Sequence, residues 1–289
     1  MPDKYDLVVI GSGPGGEKAA IQCAKLGKSV LVIEKDRTGG TSLNRGTIPS
    51  KTLWESVRYI NLIKQRQIYG ISVRLDQDLT IDPLMHRKRA AISSLTERLE
   101  NTFERNDVDL IQGAATLIDP HTVRVSSDSN PEEEFEASYV VIAVGTRPYR
   151  PDFLDFDHPR VRDSDTVLGI REIPKTLTIV GGGVIACEYA TIFSNLGVKV
   201  NLVDPRPQVL DFLDREFSSA LTYLMRDQGI RVRPGETVNH AEWDDKSVVV
   251  STESGKRIKS DFLLFAFGGW EIPKGWGWRR SESRRPSTS

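Results

Sequence analysis

The chain has 289 residues, of which 38% are apolar and 27% charged, with a formal net charge of −1. That balance gives no electrostatic case for nucleic acid or an anionic membrane as partner, and no apolar run approaches the roughly 20 residues that a membrane-spanning helix needs. The two cysteines, Cys23 and Cys187, argue against a secreted disulfide framework and for a reducing, cytoplasmic setting, and the length suits two domains of ordinary size.

The first element is a β-branched run, YDLVVI, that ends in GSGPGG and passes into the helix-like EKAAIQCAKLGK and a second strand, SVLVIE. Strand, glycine turn, helix and strand make a βαβ unit. Gly11 permits the tight turn, Gly13 lets the backbone approach a pyrophosphate, and Gly16 allows close helix packing; Glu34 closes the unit as an acid placed for a ribose hydroxyl. From Lys51 to about Asn106 the pattern is mainly helical, with RKRAAISSLTERLENTFER carrying apolar residues at helical spacing. Its basic residues are balanced by glutamates, so a solvated face is expected rather than a nucleic-acid patch. Alternating stretches around the polar turn SSDSNPEEE predict a small antiparallel insertion over about 107–140 that returns to the main sheet through FEASYVVIAVG. The Pro- and Asp-rich RPYRPDFLDFDHPRVRDSD is expected to connect two domains, and its His158 reads as a hydrogen-bonded loop histidine.

The first design then recurs as LTIV, GGGVIA, CEYATIFSNLGVK and VNLVD. Gly181, Gly183 and Ala186 take the three turn positions, with alanine tolerated at the third. Asp204 stands as far from Gly181 as Glu34 does from Gly11, and it is expected to receive the adenosine ribose of a nicotinamide nucleotide. Arg206, two residues on, could face a 2′-phosphate instead, so the choice between NAD and NADP stays open. The second unit closes at the strand DFLLFAFG, which ends on Gly268. Two matched units imply two nucleotide sites in related domains, and no His/Cys spacing suggests a metal.

Together these residues resemble the two-dinucleotide-binding-domain flavoprotein family that includes dihydrolipoamide dehydrogenase, glutathione reductase and mercuric reductase. The resemblance implies an α/β fold with two Rossmann-like domains. The FAD-binding segment would span 1–150, including the helical region and the β insertion, and the NAD(P)-binding domain 151–268. FAD would be held at Gly11, Gly13, Gly16, Glu34, Gly40, Ser42, Ala143, Gly145 and Thr146, and NAD or NADP at Gly181, Gly183, Ala186, Asp204, Arg206 and Gly268. In the family pattern GGxCxNxGCxPSK holds a redox disulfide; this chain has GGTSLNRGTIPSK, with Ser42 and Thr47 at the cysteine positions. A hydroxyl forms neither thiolate nor mixed disulfide, so disulfide reduction is excluded at this loop.

Within that family, GSGPGGEKAA, RGTIPSK, GTRPYRP, DFDHPRVRDSD, GVIACEYATIF and VLDFLDREFSSAL resemble the soluble, Si-specific pyridine nucleotide transhydrogenases. That group usually keeps a cysteine at the Ser42 position, so the match is imperfect. The resemblance implies hydride transfer from NADPH to NAD by way of FAD, with Lys51 near the flavin edge and paired to Glu188. It ends at Gly268, whereas the family continues with a segment that closes the FAD site and with a dimerisation domain. The remaining GWEIPKGWGWRRSESRRPSTS is expected to be an aberrant, disordered tail. The expectation is therefore a C-terminally truncated enzyme without the family's homodimer interface, weak in FAD retention and impaired in activity. Two alternatives are an inactive fragment that still binds nicotinamide nucleotide and a dihydrolipoamide dehydrogenase relative lacking its redox disulfide.

Overall fold

The computed structural model describes residues 3–65, 81–127 and 131–271. In chain order, β1 (Asp3–Ile10), α1 (Pro14–Ala24), β2 (Val30–Glu34) and α2 (Gly40–Asn44) lead to two longer helices, α3 (Thr47–Gln65) and α4 (Ile81–Glu104). Strands β3 (Val108–Gln112), β4 (Ala114–Asp119), β5 (Thr122–Ser126), β6 (Glu133–Ile142), β7 (Thr146–Pro148) and β8 (Val161–Asp163) follow. The second repeat comprises β9 (Thr176–Val180), α5 (Val184–Asn195), β10 (Lys199–Asp204), α6 (Arg215–Asp227) and β11 (Arg231–Pro234). The described chain closes with β12 (Val238–Trp243), β13 (Val248–Thr252), β14 (Arg257–Ser260), β15 (Phe262–Phe265) and β16 (Gly269–Glu271).

Contacts divide the described chain into two compact units, one of residues 3–44 and 93–146, the other of 45–65, 81–92 and 147–270. The described residues 45–65 and 81–92, which follow the first βαβ unit in sequence, thus cluster with the second unit, and the division falls inside α4. The reason lies in packing: Leu53, Val57, Leu84 and Met85 are buried in one apolar cluster with Ala190, Ile192 and Phe193 of α5. Asn61 Nδ2 also donates to Asn195 Oδ1 at 2.7 Å, and Lys88 Nζ donates to the Leu168 carbonyl at 3.1 Å.

In the first unit the sheet order is β3-β2-β1-β6-β5-β4. β3, β2, β1 and β6 are parallel, while β6 pairs antiparallel with β5, and β5 with β4. The antiparallel insertion therefore extends the main sheet instead of forming a separate one, because the ten-residue β6 is long enough to pair β1 along its length and β5 at its start. Successive residues of β1 serve opposite faces. Leu7 and Val9 join Ala20 of α1 and Phe103 of α4, whereas Val8 and Ile10 join Val123, Val125 and Phe135. Val8, Val9, Leu31 and Val32 are fully buried, each stabilising the fold by on the order of 1.5–3 kcal/mol relative to exposure. Burial on both faces is why these strands read as continuous apolar runs. The turn before β6 lies partly outside the described residues.

The second unit repeats the arrangement, with a parallel sheet of order β11-β10-β9-β15-β8 and a separate three-stranded antiparallel sheet, β12-β13-β14. Leu177, Ile179, Leu202 and Leu264 face the helices; Val180, Val203, Leu263 and Phe265 face Ala241, Val248, Val250 and Ile258 of the antiparallel sheet. β12–β14 carry no motif that marks them in the sequence. Residues 147–165, expected from sequence to be a connection, contain β8, which pairs with β15. Leu154, Phe156 and Val161 are buried with Phe265, an anchoring concealed in the sequence by the surrounding prolines and aspartates. Gly269–Glu271, assigned from sequence to a disordered tail, form a short strand paired with β7; residues 272–289 lie outside the described residues.

Candidate functional site

Each parallel sheet has a switch point where the chain crosses from one half of the strand order to the other, between β1 and β6 and between β9 and β15. The crevice at the carboxyl ends of such strands is where open α/β sheets take ligands. Both glycine turns stand there, and the two are built alike. Gly11 N donates to Ile33 O and Ala143 N to Ile10 O, both at 2.8 Å; Gly181 N donates to Val203 O and Ala266 N to Val180 O, again at 2.8 Å.

The three turn positions differ in what surrounds them. Gly11 and Gly181 have φ of +102° and +121°, and a Cβ on either would strike the carbonyl of Ala143 or Ala266 across the switch point. A Cβ on Gly16 would run into the carbonyl of Gly11, whereas the second turn opens enough to bury Ala186 completely. The middle glycine is unlike both. Gly13 has φ −63° and Gly183 φ −80°, conformations any residue adopts. A Cβ on Gly183 would meet nothing within 4 Å, and one on Gly13 would find its nearest neighbour, Gly40 Cα, at 4.0 Å. Neither backbone conformation nor packing within the chain demands glycine there, and both residues stand at the amino end of the following helix.

Around the first turn, Glu34 is buried and accepts from Ser12 N at 2.9 Å, Ser12 Oγ at 2.7 Å and Asp36 N at 2.9 Å. Ser12 Oγ in turn accepts from Gly39 N at 2.9 Å. Gly40 packs so close to the turn that a Cβ on it would lie 2.9 Å from Gly13 Cα. The chain Glu34–Ser12–Gly39 thus fastens the Gly39-Gly40 loop to the turn; Ser12 was missed in the sequence because it sits between the two glycines that draw attention. Ala143 is half-buried at the end of β6, and Gly145 and Thr146 are exposed just beyond it. Ser42 lies half-buried on α2, which belongs to the first unit, and Thr47 is exposed at the start of α3 in the second, so the division between units falls between the two positions.

In the second unit Asp204 ends β10 fully buried, and Arg206 folds back onto it. Nε and NH2 of Arg206 donate to the two carboxylate oxygens at 2.8 and 2.7 Å, and NH1 donates to Asp211 at 2.7 Å. The guanidinium lies over the Phe267 ring, 5.7 Å from its centre. These partners, Asp204 first, hold its pKa above the ordinary arginine value. A Cβ on Gly182 would come 2.8 Å from Asp204 Oδ2, which explains the second glycine of GGG. Ala266 and Gly182 escaped the sequence reading; their signals were the shared AxG of AVG and AFG, and the unbroken glycine triplet. Gly268 is exposed beyond β15.

Lys51 and Glu188, which the sequence separates by 137 positions, meet at 2.6 Å. Proline and serine precede Lys51 on the first turn of α3, and Glu188 projects from α5, so the helix packing described above sets this distance. Ser50, buried, donates its hydroxyl to the same Glu188 oxygen at 3.0 Å, an addition to the pair that only the fold reveals. Nearby charges include Arg45 and Asp165 at 3.8 Å and Arg150 and the buried Asp163 at 2.7 Å. Burial, with Asp163 next, raises the Asp165 carboxyl above its ordinary value, and burial does the same to the Tyr189 hydroxyl. The His158 ring lies tilted against Trp243 with centroids 6.1 Å apart, and its Nδ1 accepts from Arg160 N at 3.4 Å, a loop role. No group of three or more His, Cys, Asp or Glu suited to a metal occurs among the described residues, and no helix there is long and apolar enough to cross a membrane.

The sequence profile of the pyridine nucleotide-disulphide oxidoreductases matches residues 5–272. The chain belongs to that family. It is 43% identical over 267 residues to a soluble pyridine nucleotide transhydrogenase of Mycobacterium tuberculosis, covering 92% of this chain and 57% of the relative. The corresponding protein of Colwellia psychrerythraea is 41% identical over 265 residues, at 91% and 57% coverage. The chain thus spans little more than half the length of the curated relatives it matches. Among solved structures it is similar to the HOCl-induced flavoprotein disulfide reductase RclA of Escherichia coli, with TM-score 0.78 and 28% identity over 92% of this chain and 57% of that one. LpdA of Mycobacterium tuberculosis shares the fold at TM-score 0.86 and 22% identity, over 95% of this chain and 60% of that one. The family takes its name from a disulfide, yet the two cysteines of this chain lie on α1 and α5 and neither is part of the GGTSLNRGTIPSK loop.

Proposed function

We propose that this chain carries the two nucleotide sites of an FAD-dependent pyridine nucleotide transhydrogenase of the Si-specific class, moving hydride from NADPH to NAD. The observation that supports it best is the duplicated turn in which the outer positions are crowded by protein and the middle glycine is open. That pattern fits a pyrophosphate against the backbone in both units. On this reading FAD lies against Gly11, Gly13 and Gly16, with Glu34 toward its ribose and Gly40, Ser42, Ala143, Gly145 and Thr146 around it. Glu34 would exchange its bonds from Ser12 for bonds from the ribose hydroxyls. The nicotinamide nucleotides take Gly181, Gly183, Ala186, Asp204, Arg206 and Gly268 in turn.

When bound, FAD supplies a carrier that accepts and returns a hydride, so no thiol is required and Ser42 and Thr47 need not be cysteines. Lys51 supplies a fixed positive charge for the negative charge that hydride transfer develops. Glu188 holds the ammonium in place, and Ser50 holds Glu188. Val184 and Ile185, exposed on the first turn of α5, offer an apolar surface for the flat nicotinamide ring. The reading also places the protein in the cytoplasm, where both nucleotide pools are found.

The test is spectroscopic. Purified chain supplemented with FAD should acquire a protein-bound flavin spectrum that bleaches with NADPH in the absence of oxygen and recovers on adding NAD. Calorimetric binding of NAD or NADP without any bound flavin would instead favour a nucleotide-binding role alone. Lipoamide reduction by a chain carrying Ser42→Cys and Thr47→Cys would favour a dihydrolipoamide dehydrogenase origin.

A further inference from the structure

We infer that Asp204, Arg206 and Asp211 form a two-position charge switch that lets one adenosine site accept both NAD and NADP, with Asp211 setting the balance. The inference rests on the nucleotide reading above and adds to it a residue, Asp211, that the motif does not contain.

The two nucleotides make opposite demands. A ribose diol donates hydrogen bonds and needs a carboxylate; a 2′-phosphate is an anion and needs a cation. Here the carboxylate and the cation are bound to each other, through the bidentate contact of Arg206 with Asp204, and Arg206 spends a further N–H on Asp211. For NAD, Arg206 must leave Asp204 so that the diol can take its place. Asp211 makes that departure inexpensive, since the guanidinium keeps a carboxylate partner. For NADP, Arg206 must stay, because a buried Asp204 stripped of its cation beside a phosphate dianion would be strongly unfavourable. The phosphate then takes the N–H now held by Asp211. That carboxylate is 39% exposed, so water solvates it once released. Arg206 thus has two resting partners, Asp211 in the NAD state and Asp204 in the NADP state.

The position of Asp211 is itself tied to the glycine turn. Leu210 has φ +50°, left-handed for a side chain that rarely adopts it, and is held there because its N–H donates to Gly182 O at 2.8 Å. Its carbonyl accepts from Ser218 Oγ at 3.1 Å and from Leu213 N at 2.9 Å. The next residue is therefore presented to Arg206 from a fixed backbone.

Calorimetric titration of the full chain with NAD and with NADP tests the switch. Asp211→Asn should tighten NADP relative to NAD by about two- to fivefold, the scale of one part-exposed ion pair. Arg206→Gln should move the preference the other way, weakening NADP by on the order of tenfold or more through loss of a charge-assisted bond. Opposite shifts support the switch. An NAD-to-NADP ratio that Asp211→Asn leaves unchanged, or moves toward NAD, overturns it even if both nucleotides bind. If wild type binds neither nucleotide, the underlying nucleotide reading fails and the switch with it. Should Arg206→Gln fail to fold because Asp204 is left unpaired, Asp211→Asn at its exposed position decides alone.

Discussion

The sharpest perturbation contrasts two neighbouring glycines, Gly181→Ala and Gly183→Ala. At Gly181 the new Cβ would lie 2.6 Å from Ala266 O and 2.9 Å from its carbonyl carbon, both backbone atoms on β15's exit that no rotamer change relieves. The φ of +121° adds a second cost, since an L side chain there is strained by about 1–3 kcal/mol. Overpacking against a fixed backbone costs a further ~1–3 kcal/mol. Together they amount to about 2–6 kcal/mol, a drop of roughly 4–24 °C at about 2–4 °C per kcal/mol for a unit of this size. At Gly183 the backbone is ordinary and the space is open, so the only structural cost is that of alanine at a helix N-cap, within about 1 kcal/mol. On the proposed reading the Cβ would, however, occupy the space taken by a pyrophosphate. Gly181→Ala should therefore melt well below wild type, whereas Gly183→Ala should melt near it and lose affinity for NAD and NADP by on the order of tenfold or more. Differential scanning calorimetry and isothermal titration give the two readouts. Equal destabilisation by both substitutions, with nucleotide affinity retained in Gly183→Ala, would refute the assignment of the middle glycine to a ligand.

Three further outcomes follow from the charges and thiols. Asp165 binds its proton more tightly in the folded chain than its ordinary value of 3.8, so wild-type stability falls as pH rises from 3.8 through the raised folded value. Asp165→Asn should accordingly raise Tm at pH 7 and lose that advantage below pH 3.8; a lower Tm at pH 7 would mean that the 3.8 Å contact with Arg45 outweighs burial. Glu236 shows the reverse sign: hydrogen bonds from Lys256 first, then Ser254 and Thr252, depress its carboxyl from 4.5 to about 2. The stability it contributes is complete above 4.5 and drains away as pH falls toward 2, and Lys256→Met should remove most of this acid sensitivity in pH-dependent melts. For the cysteines, burial pushes the Cys187 thiol up to about 11, whereas Cys23 is half-buried. A thiol-disulfide colour reagent at pH 8 should therefore titrate one fast and one slow cysteine in the native chain and two fast ones in urea, with Cys23→Ser abolishing the fast phase.

The sequence carried the repeat because each half writes its own local rule. A glycine at positive φ after a strand, a small third residue against that turn, and an acid at the end of the next strand are demands that act within some two dozen residues, and Gly11 to Glu34 and Gly181 to Asp204 display them openly. The parallel strands were legible for a related reason, since burial on both faces leaves unbroken runs such as VLVIE and FLLF. Lys51 and Glu188 were named together only through the resemblance to a family, not through any spacing.

What tertiary structure decided was everything that depends on which chain segments meet. Residues 45–65 and 81–92 cluster with the second unit because α3 and the start of α4 pack on α5, a preference between two apolar surfaces that periodicity cannot rank. β8 and its anchors Leu154 and Phe156 hide in a stretch of prolines and aspartates because three scattered apolar residues suffice once Phe265 is beside them. Ser50 on Glu188, Ser12 between Glu34 and Gly39, and Asp211 on Arg206 are hydrogen bonds whose geometry exists only after the strands and helices are assembled. The sequence by itself determined the two repeated glycine turns to which the proposal assigns nucleotides. The folded chain determined which side chains stand around them, because a hydrogen bond or ion pair depends on distances of a few tenths of an ångström that no linear pattern encodes.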